Sequence, residues 1–138
     1  MSSARWNSAT RRALLGVALV LTASRAAIAD PARLICDWDG GDAIVQDEPT
    51  IIELNQAQSS VSVHFSAYTI PALRSHVAAV SIGPLLALFG NDMVTFRNDG
   101  LNRHEMTYGA FSLNRITGAF IQIRSNYRWT CHSGQEHF

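Results

Sequence analysis

Alternating apolar and polar residues dominate the chain after Asp30. In the stretch SVSVHFSA, Val61, Val63 and Phe65 share one face of an extended strand, and the residues between them share the other. Short runs of a similar kind recur, separated by Gly, Asn, Asp and Ser: RLICDW, AIVQ, TIIELN, DMVTFR and NYRWTCH. Such runs are typical of an antiparallel β protein whose strands are buried on one side.

The clearest hairpin lies in MTYGAFSLNRITGAFIQIRS. Residues 114–118, NRITG, form a short loop that ends in Gly118, and glycine readily takes the left-handed backbone conformation that such loops need. Phe111 precedes the loop and Phe120 follows it. The pattern predicts two consecutive strands here, followed by a last strand that carries Cys131.

The stretch TIPALRSHVAAVSIGPLLALFGN has two interpretations. We favour strands over residues 71–89. A short helix near 71–82 is the alternative, because Pro71 would fit its first turn and Leu73 and Val77 have helical spacing.

Two further expectations concern the same stretch. Gly83 and Pro84 are expected to interrupt either element, since both residues disrupt regular structure. The apolar run from Val77 to Phe89 is expected to lie in the core, although a small barrel with spare interior can also hold one ligand.

The first 29 residues have the parts of an export signal. Paired arginines precede the apolar run at 13–23, which is shorter than the roughly 20 residues that span a bilayer, and AIA at 27–29 suits a signal peptidase. We expect cleavage after Ala29, through the general secretory route or, given TRRALL, the twin-arginine route. The prediction is one periplasmic or secreted domain at residues 30–138, without a stable membrane anchor.

Two cysteines, Cys36 and Cys131, lie near the ends of the predicted domain. In an exported protein of this size they indicate a disulfide, which would join the first and last strands. Trp38 and Trp129 lie within two residues of them and are expected to pack around the bond. The predicted fold is all-β, a small antiparallel barrel or sandwich of about eight strands closed by one disulfide. An α+β fold with the short helix near 71–82 is the alternative.

Charge is distributed unevenly along the predicted domain. It has 7 arginines, no lysine and 11 acidic residues, a net charge of −4, and residues 30–56 alone carry −6 while the remainder carries +2. Binding to nucleic acid phosphates requires a basic face, so nucleic acid is excluded as a partner. The expected partner is a protein or a small molecule.

One acidic stretch, DWDGGDAIVQDE, shares its first, third and twelfth positions with a calcium-binding loop. That motif requires glycine at its sixth position and an oxygen ligand at the fifth, and here Gly41 and Asp42 are reversed. We therefore interpret residues 39–42 as a hairpin turn. A non-helical calcium site formed by Asp37, Asp39 and Asp42 is the alternative.

Motifs for catalysis are not found in the sequence. No serine lies in a Gly-x-Ser-x-Gly elbow, and no glycine-rich phosphate loop occurs. Five histidines are present, none at zinc-ligand spacing: His64, His76, His104, His132 and His137. We predict a non-enzymatic protein without a cofactor, with a three-dimensional histidine cluster for zinc as an alternative.

Two resemblances bear on these predictions. LNRITG at 113–118, with the leader, the early cysteine and a final cysteine-bearing strand, resembles a group of small secreted proteobacterial β-proteins with a Leu-Asp-Arg-x-Thr-Gly turn. This resemblance implies location and fold but no activity. CDWDGG resembles the early cysteine segment of bacterial inhibitors of c-type lysozyme, which are small exported β-barrels. Their Ser-Gly-x-x-Tyr inhibitory motif is not matched by SGQEH at 133–137, which lacks the tyrosine.

The preferred hypothesis is a non-enzymatic periplasmic β domain that binds a ligand or buffers envelope stress. The alternatives are a lysozyme inhibitor, and a calcium- or zinc-dependent binding module.

Overall fold

A computed structural model describes residues 32–100 and 105–133, and these residues are mostly β-strand. Two single 3-10 turns, Gln56–Gln58 and Pro71–Leu73, interrupt the strands. The strands are β1 (Ala32–Trp38), β2 (Val45–Gln46), β3 (Thr50–Asn55), β4 (Ser60–Phe65), β5 (Tyr68–Ile70), β6 (Ser75–Val77), β7 (Val80–Phe89), β8 (Met93–Asn98), β9 (Gly109–Asn114), β10 (Ala119–Gln122) and β11 (Tyr127–Ser133).

Eight strands form a closed antiparallel barrel in the order β1-β11-β10-β9-β8-β7-β4-β3, and β3 pairs with β1. The chain leaves the barrel between β1 and β3 and again between β4 and β7. These two excursions meet as a three-stranded sheet in the order β2-β5-β6. The predicted all-β fold is confirmed as a barrel and not a sandwich, and the α+β alternative is wrong.

The predicted disulfide is confirmed at the seam where the barrel closes. Cys36 on β1 lies directly opposite Cys131 on β11, with their Cα atoms 3.9 Å apart. A disulfide is compatible with an oxidising extracytoplasmic compartment. Among the described residues, no helix has the length and apolar character needed to cross a membrane.

Aromatic side chains fill much of the barrel interior. They form a packed group in which ring centroids are 5.0 to 6.3 Å apart: Phe65, Phe96, Phe111, Phe120 and Trp129. Aromatic pairs at such distances add about 0.5–1.5 kcal/mol each to the stabilisation from buried area. The strand faces predicted from alternation, including that of β4, point into this core.

The stretch from 71 to 89 is extended. After the 3-10 turn at Pro71–Leu73, the chain forms β6 and then β7. The strand interpretation is therefore confirmed, and the helix near 71–82 is wrong. Pairing of β6 with β5 and of β7 with β4 satisfies the backbone groups that a helix would have paired internally.

A bulge in β7 replaces the interruption expected at Gly83 and Pro84. The strand continues through both residues, and its register with β4 shifts there. Gly83 has a φ of +102°, and a Cβ at this position would lie 2.7 Å from the carbonyl oxygen of Val61, so only glycine fits without a shift. Beyond the bulge, Leu86 and Leu88 point outward, which corrects the expectation that the whole run lies in the core.

The barrel has two unlike ends. At one end, tight turns connect β3 to β4, β7 to β8 and β9 to β10. Arg115, from the NRITG turn, fastens this end by donating to the Gln56 side chain at 3.1 Å and to the carbonyl oxygens of Gly90 and Asn91 at 2.6 and 3.0 Å. The predicted hairpin is confirmed, and its turn has a structural role. The longer connections lie at the other end.

Candidate functional site

A cavity of about 770 Å³ lies beside the end of β1, at the barrel end that carries the longer connections. Its walls come from the segment between residues 37 and 49, which leaves the barrel, forms β2 and returns as β3. Five acidic residues line it: Asp37, Asp39, Asp42, Asp47 and Glu48. The three residues predicted as calcium ligands are thus brought to one cavity. The last two lie outside that prediction, although the acid excess of residues 30–56 pointed to them.

The cavity opens because the segment folds away from β1. The prediction of a hairpin turn at residues 39–42 is wrong, since β2 pairs with β5 and not with β1. The backbone N–H of Asp47 donates to the Ala67 carbonyl at 3.1 Å, and that of Glu48 donates to the Ser66 hydroxyl at 3.0 Å. These bonds hold the segment against the connection between β4 and β5.

Trp38 provides an aromatic wall of the cavity. Its Nε1 donates to the carbonyl oxygen of Gly41 at 2.8 Å, and its ring lies 5.3 Å from Trp129 and 5.8 Å from Tyr127. A Cβ at Gly40 would overlap with the indole ring, so glycine lets the loop fold over it. Trp129 is buried in the same core cluster as the two cysteines, as predicted, whereas half-buried Trp38 also faces the cavity.

The cavity carboxylates have few partners of opposite charge. Asp39 accepts a hydrogen bond from the Thr130 hydroxyl at 3.1 Å, and Asp37 lies 3.3 Å from Nε2 of His132. Within residues 32–100 and 105–133, no arginine lies within ion-pair distance of any of the five carboxylates. Like charges concentrated in a concave surface produce a negative potential that attracts cations.

Gln46 lies in the cavity wall, and its side-chain oxygen is buried. Its Nε2 donates to the Thr50 hydroxyl at 3.4 Å, while its buried Oε1 has no hydrogen-bond partner among the described residues. Leaving a buried acceptor unpaired costs about 1–3 kcal/mol.

The geometry does not gather metal ligands. Across the described parts of the chain, no group of three or more His, Cys, Asp or Glu side chains is placed to hold a metal ion. Asp37, Asp39 and Asp42 line the same cavity without converging on one point. His104 and His137 lie outside the described residues, as does the part of SGQEH that follows Ser133.

One histidine has a serine partner. Nδ1 of His64 lies 2.7 Å from the Ser81 hydroxyl on the outer surface of the barrel. A catalytic pair of this kind uses a third group to orient the histidine and donors to stabilise an oxyanion. No carboxylate among the described residues hydrogen-bonds to His64, and both partners are exposed. The pair is therefore a cross-strand contact between β4 and β7.

A second polar cluster lies at the same barrel end. Burial raises the pKa of both Tyr68 and Tyr127, and the nearby carboxylate of Glu105 raises these pKa values further. The Ser125 hydroxyl donates to the side-chain carboxylate of Glu105 at 3.4 Å. The buried side-chain amide of Gln122 donates to the backbone carbonyl oxygen of Glu105 at 3.1 Å. This network fastens the connections around the barrel end.

No protein-family model matches the chain, and neither a curated protein nor a solved structure matches it. The acidic cavity is therefore the feature of the described chain from which a function can be inferred.

Proposed function

We propose that this protein is an exported, non-enzymatic binding domain whose acidic cavity receives cationic groups of a partner, most simply the arginine and lysine side chains of a basic protein. One observation carries the proposal. Five carboxylates surround a single cavity of about 770 Å³ and no arginine of the described chain neutralises them.

The chemistry of the cavity suits a cationic side chain. Two unit charges 4 Å apart attract with about 1 kcal/mol in water and about 4 kcal/mol at the effective dielectric of a protein surface. Several carboxylates acting on one guanidinium or ammonium group therefore supply useful affinity. The indole ring of Trp38 adds a surface on which a cation can rest, worth about 0.5–1 kcal/mol at an exposed site.

The predicted export signal and the disulfide support an extracytoplasmic location, because disulfide bonds persist where the environment is oxidising. A binding or envelope-stress protein in that compartment meets peptides and proteins directly. Nucleic acid is not proposed as a partner, since the negative cavity would repel its phosphates.

The test is titration calorimetry of the oxidised domain with an arginine-rich peptide at low and moderate salt. We expect saturable binding that weakens as salt rises, because exposed charges are screened beyond about 10 Å at 0.1 M. Asp42→Asn and Asp47→Asn should each weaken binding about 3- to 5-fold, as expected for exposed charge contacts of about 0.7–1 kcal/mol.

The matched control is Asp92→Asn, which removes the same charge from the exposed turn between β7 and β8, at the other barrel end. It should bind like the unmodified domain. Equal losses for Asp92→Asn and the cavity variants would show that net charge alone drives binding, and a lack of saturable binding would reject the proposal.

A second candidate is inhibition of c-type lysozyme. The acidic cavity on a disulfide-closed eight-stranded barrel favours it, because this surface would complement a basic enzyme. The measurement is cell-wall hydrolysis by a c-type lysozyme with the domain added. Undiminished hydrolysis at micromolar inhibitor would end this candidate and leave cation binding in place. Within the described residues the calcium or zinc alternative has no converging ligands, so we expect a chelator to leave the melting temperature unchanged.

A further inference from the structure

The outer face of β7–β10 carries an apolar groove of about 410 Å³. Leu86 and Leu88 of β7 form one wall, and Ile123, just after β10, forms the other. Thr95 and Ala110, on the strands between them, form a floor of smaller side chains. The three wall residues are 80%, 74% and 55% exposed, so the described parts of the chain leave them largely uncovered.

Single exposed aliphatic residues are common on protein surfaces. A groove lined by several of them is instead typical of an interaction surface. A closed barrel has no free strand edge to offer a partner, so a contact on this face is made by side chains. The occupant must therefore match the groove in shape and charge.

We propose that this face binds a second copy of the chain, with the two grooves facing each other across a two-fold axis. A two-fold interface brings the same patch from both copies together, so the patch must complement itself. Here a ridge formed by Leu86 and Leu88 borders a groove. The proposed axis is one that places the Leu86 and Leu88 wall of each copy over the groove of the other.

The groove also has one charged residue of each sign beside it, which a two-fold contact could pair between copies. Arg97 is the charged residue within the four strands, and it lies 3.0 Å from Asp99 just beyond β8. Both side chains are exposed, so the bond inside one copy contributes little. The proposed two-fold axis is one that places Arg97 of each copy opposite Asp99 of the other.

The distribution of acidic residues also favours this face. In the eight-stranded order, β8 is four strands away from β1 in either direction, and β9 is four strands away from β3. The acidic cavity begins at the end of β1 and returns to the chain at β3. Two copies that meet through β7–β10 therefore keep their acidic sides apart, which minimises repulsion between two negatively charged chains.

The first test is sedimentation equilibrium of the oxidised domain over about 1–300 µM, the range appropriate to an interface below standard size. We expect a reversible dimer. Leu88→Asp should weaken it at least about 10-fold, because the change places two carboxylates in an apolar contact. Leu73→Asp is the matched control, since Leu73 is 71% exposed on the turn between β5 and β6. It should leave dimerisation unchanged.

The second test uses the rim charges. Arg97→Asp and Asp99→Arg should each weaken self-association, because each puts like charges together across the axis. An equimolar mixture of the two variants should form the mixed dimer in preference to either homodimer. A protein that stays monomeric at the highest concentration would overturn the proposal. This holds even if that monomer binds phospholipid vesicles through the groove. A dimer insensitive to Leu88→Asp, or a mixture without preference, would overturn it equally.

Discussion

Removing the disulfide is expected to cost this barrel a large part of its stability. The bond joins residues 95 apart in sequence, at the seam where β1 meets β11 and the barrel closes. In the chain-entropy model, opening a loop of that length gives the unfolded chain freedom worth roughly 4–5 kcal/mol. Typical domains have a total stability of about 5–15 kcal/mol. The variant Cys36→Ala/Cys131→Ala should therefore be marginally folded at room temperature.

Loss of core packing lowers the stability of the double variant further. Both cysteines lie in the core, so alanine leaves a small unfilled volume at each position. Core deletions of one atom cost about 1 kcal/mol or less each when the neighbours can relax. The total expected loss is thus about 5–6 kcal/mol, and the entropy of closing the barrel dominates it.

The assay is urea unfolding followed by tryptophan fluorescence. Trp38 and Trp129 form a cross-strand pair beside the bond, so both signals change when the seam opens. With a slope of about 1–2 kcal/mol per molar urea, the midpoint should fall by roughly 3–5 M. Oxidised protein treated with reductant should unfold like the double variant.

A loss below about 1 kcal/mol would refute this reasoning. It would mean that the strands of the seam stay together in the denatured ensemble, so that the bond restricts little additional freedom. A shallower urea slope in the double variant would show that its denatured ensemble retains structure, because the slope reports the surface exposed on unfolding.

Two further predictions concern the fold. Gly118→Ala should destabilise the barrel by about 2–4 kcal/mol in urea unfolding, since Gly118 has a φ of +80° and a Cβ would overlap with the Cys131 carbonyl oxygen; wild-type stability would show that the turn shifts freely. Tyr68 and Tyr127 have raised folded-state pKa values, so the stability they contribute is complete below the unfolded value of about 10 and is lost as pH rises through the folded pKa. Tyrosinate absorbance should therefore show two phenols that ionise late in the folded protein, and no lag relative to the unfolded chain would contradict this.

Much of the barrel was predictable because local and long-range signals agree in it. Alternation in β4 defines an inner face, and the glycine of the NRITG turn defines a hairpin. The two cysteines then connect the first and last strands, and closure of a meander follows from that connection. Each of these signals depends on residues close in sequence or on a covalent bond.

One error came from a pairing with a distant segment. Residues 39–42 have the composition of a hairpin turn, but the following strand pairs with β5, about 20 residues later, and composition carries no information about that partner.

Leu86 and Leu88 follow the bulge at Gly83–Pro84 in an uninterrupted apolar run. Alternation could not show that their side chains point outward, because the residues between them are apolar too.

The candidate site was partly predictable for the same reason. The acid excess of residues 30–56 is a property of the sequence, and it correctly indicates a negative surface. What the sequence does not specify is concavity. The cavity exists because β2 leaves the barrel and is held by the connection between β4 and β5, so that carboxylates of a continuous segment surround a space.

The same topology separates the two proposed binding surfaces. The excursions that form the β2-β5-β6 sheet interrupt the barrel sequence between β1 and β3 and between β4 and β7, whereas β7 to β10 follow one another as neighbouring strands. A partner bound in the acidic cavity would therefore not compete with a second copy bound at the groove. A dimer would present two cavities on opposite sides, each open to its own basic partner. Cation binding with one site per chain is then expected whether or not the groove is occupied, so failure of either proposal leaves the other intact.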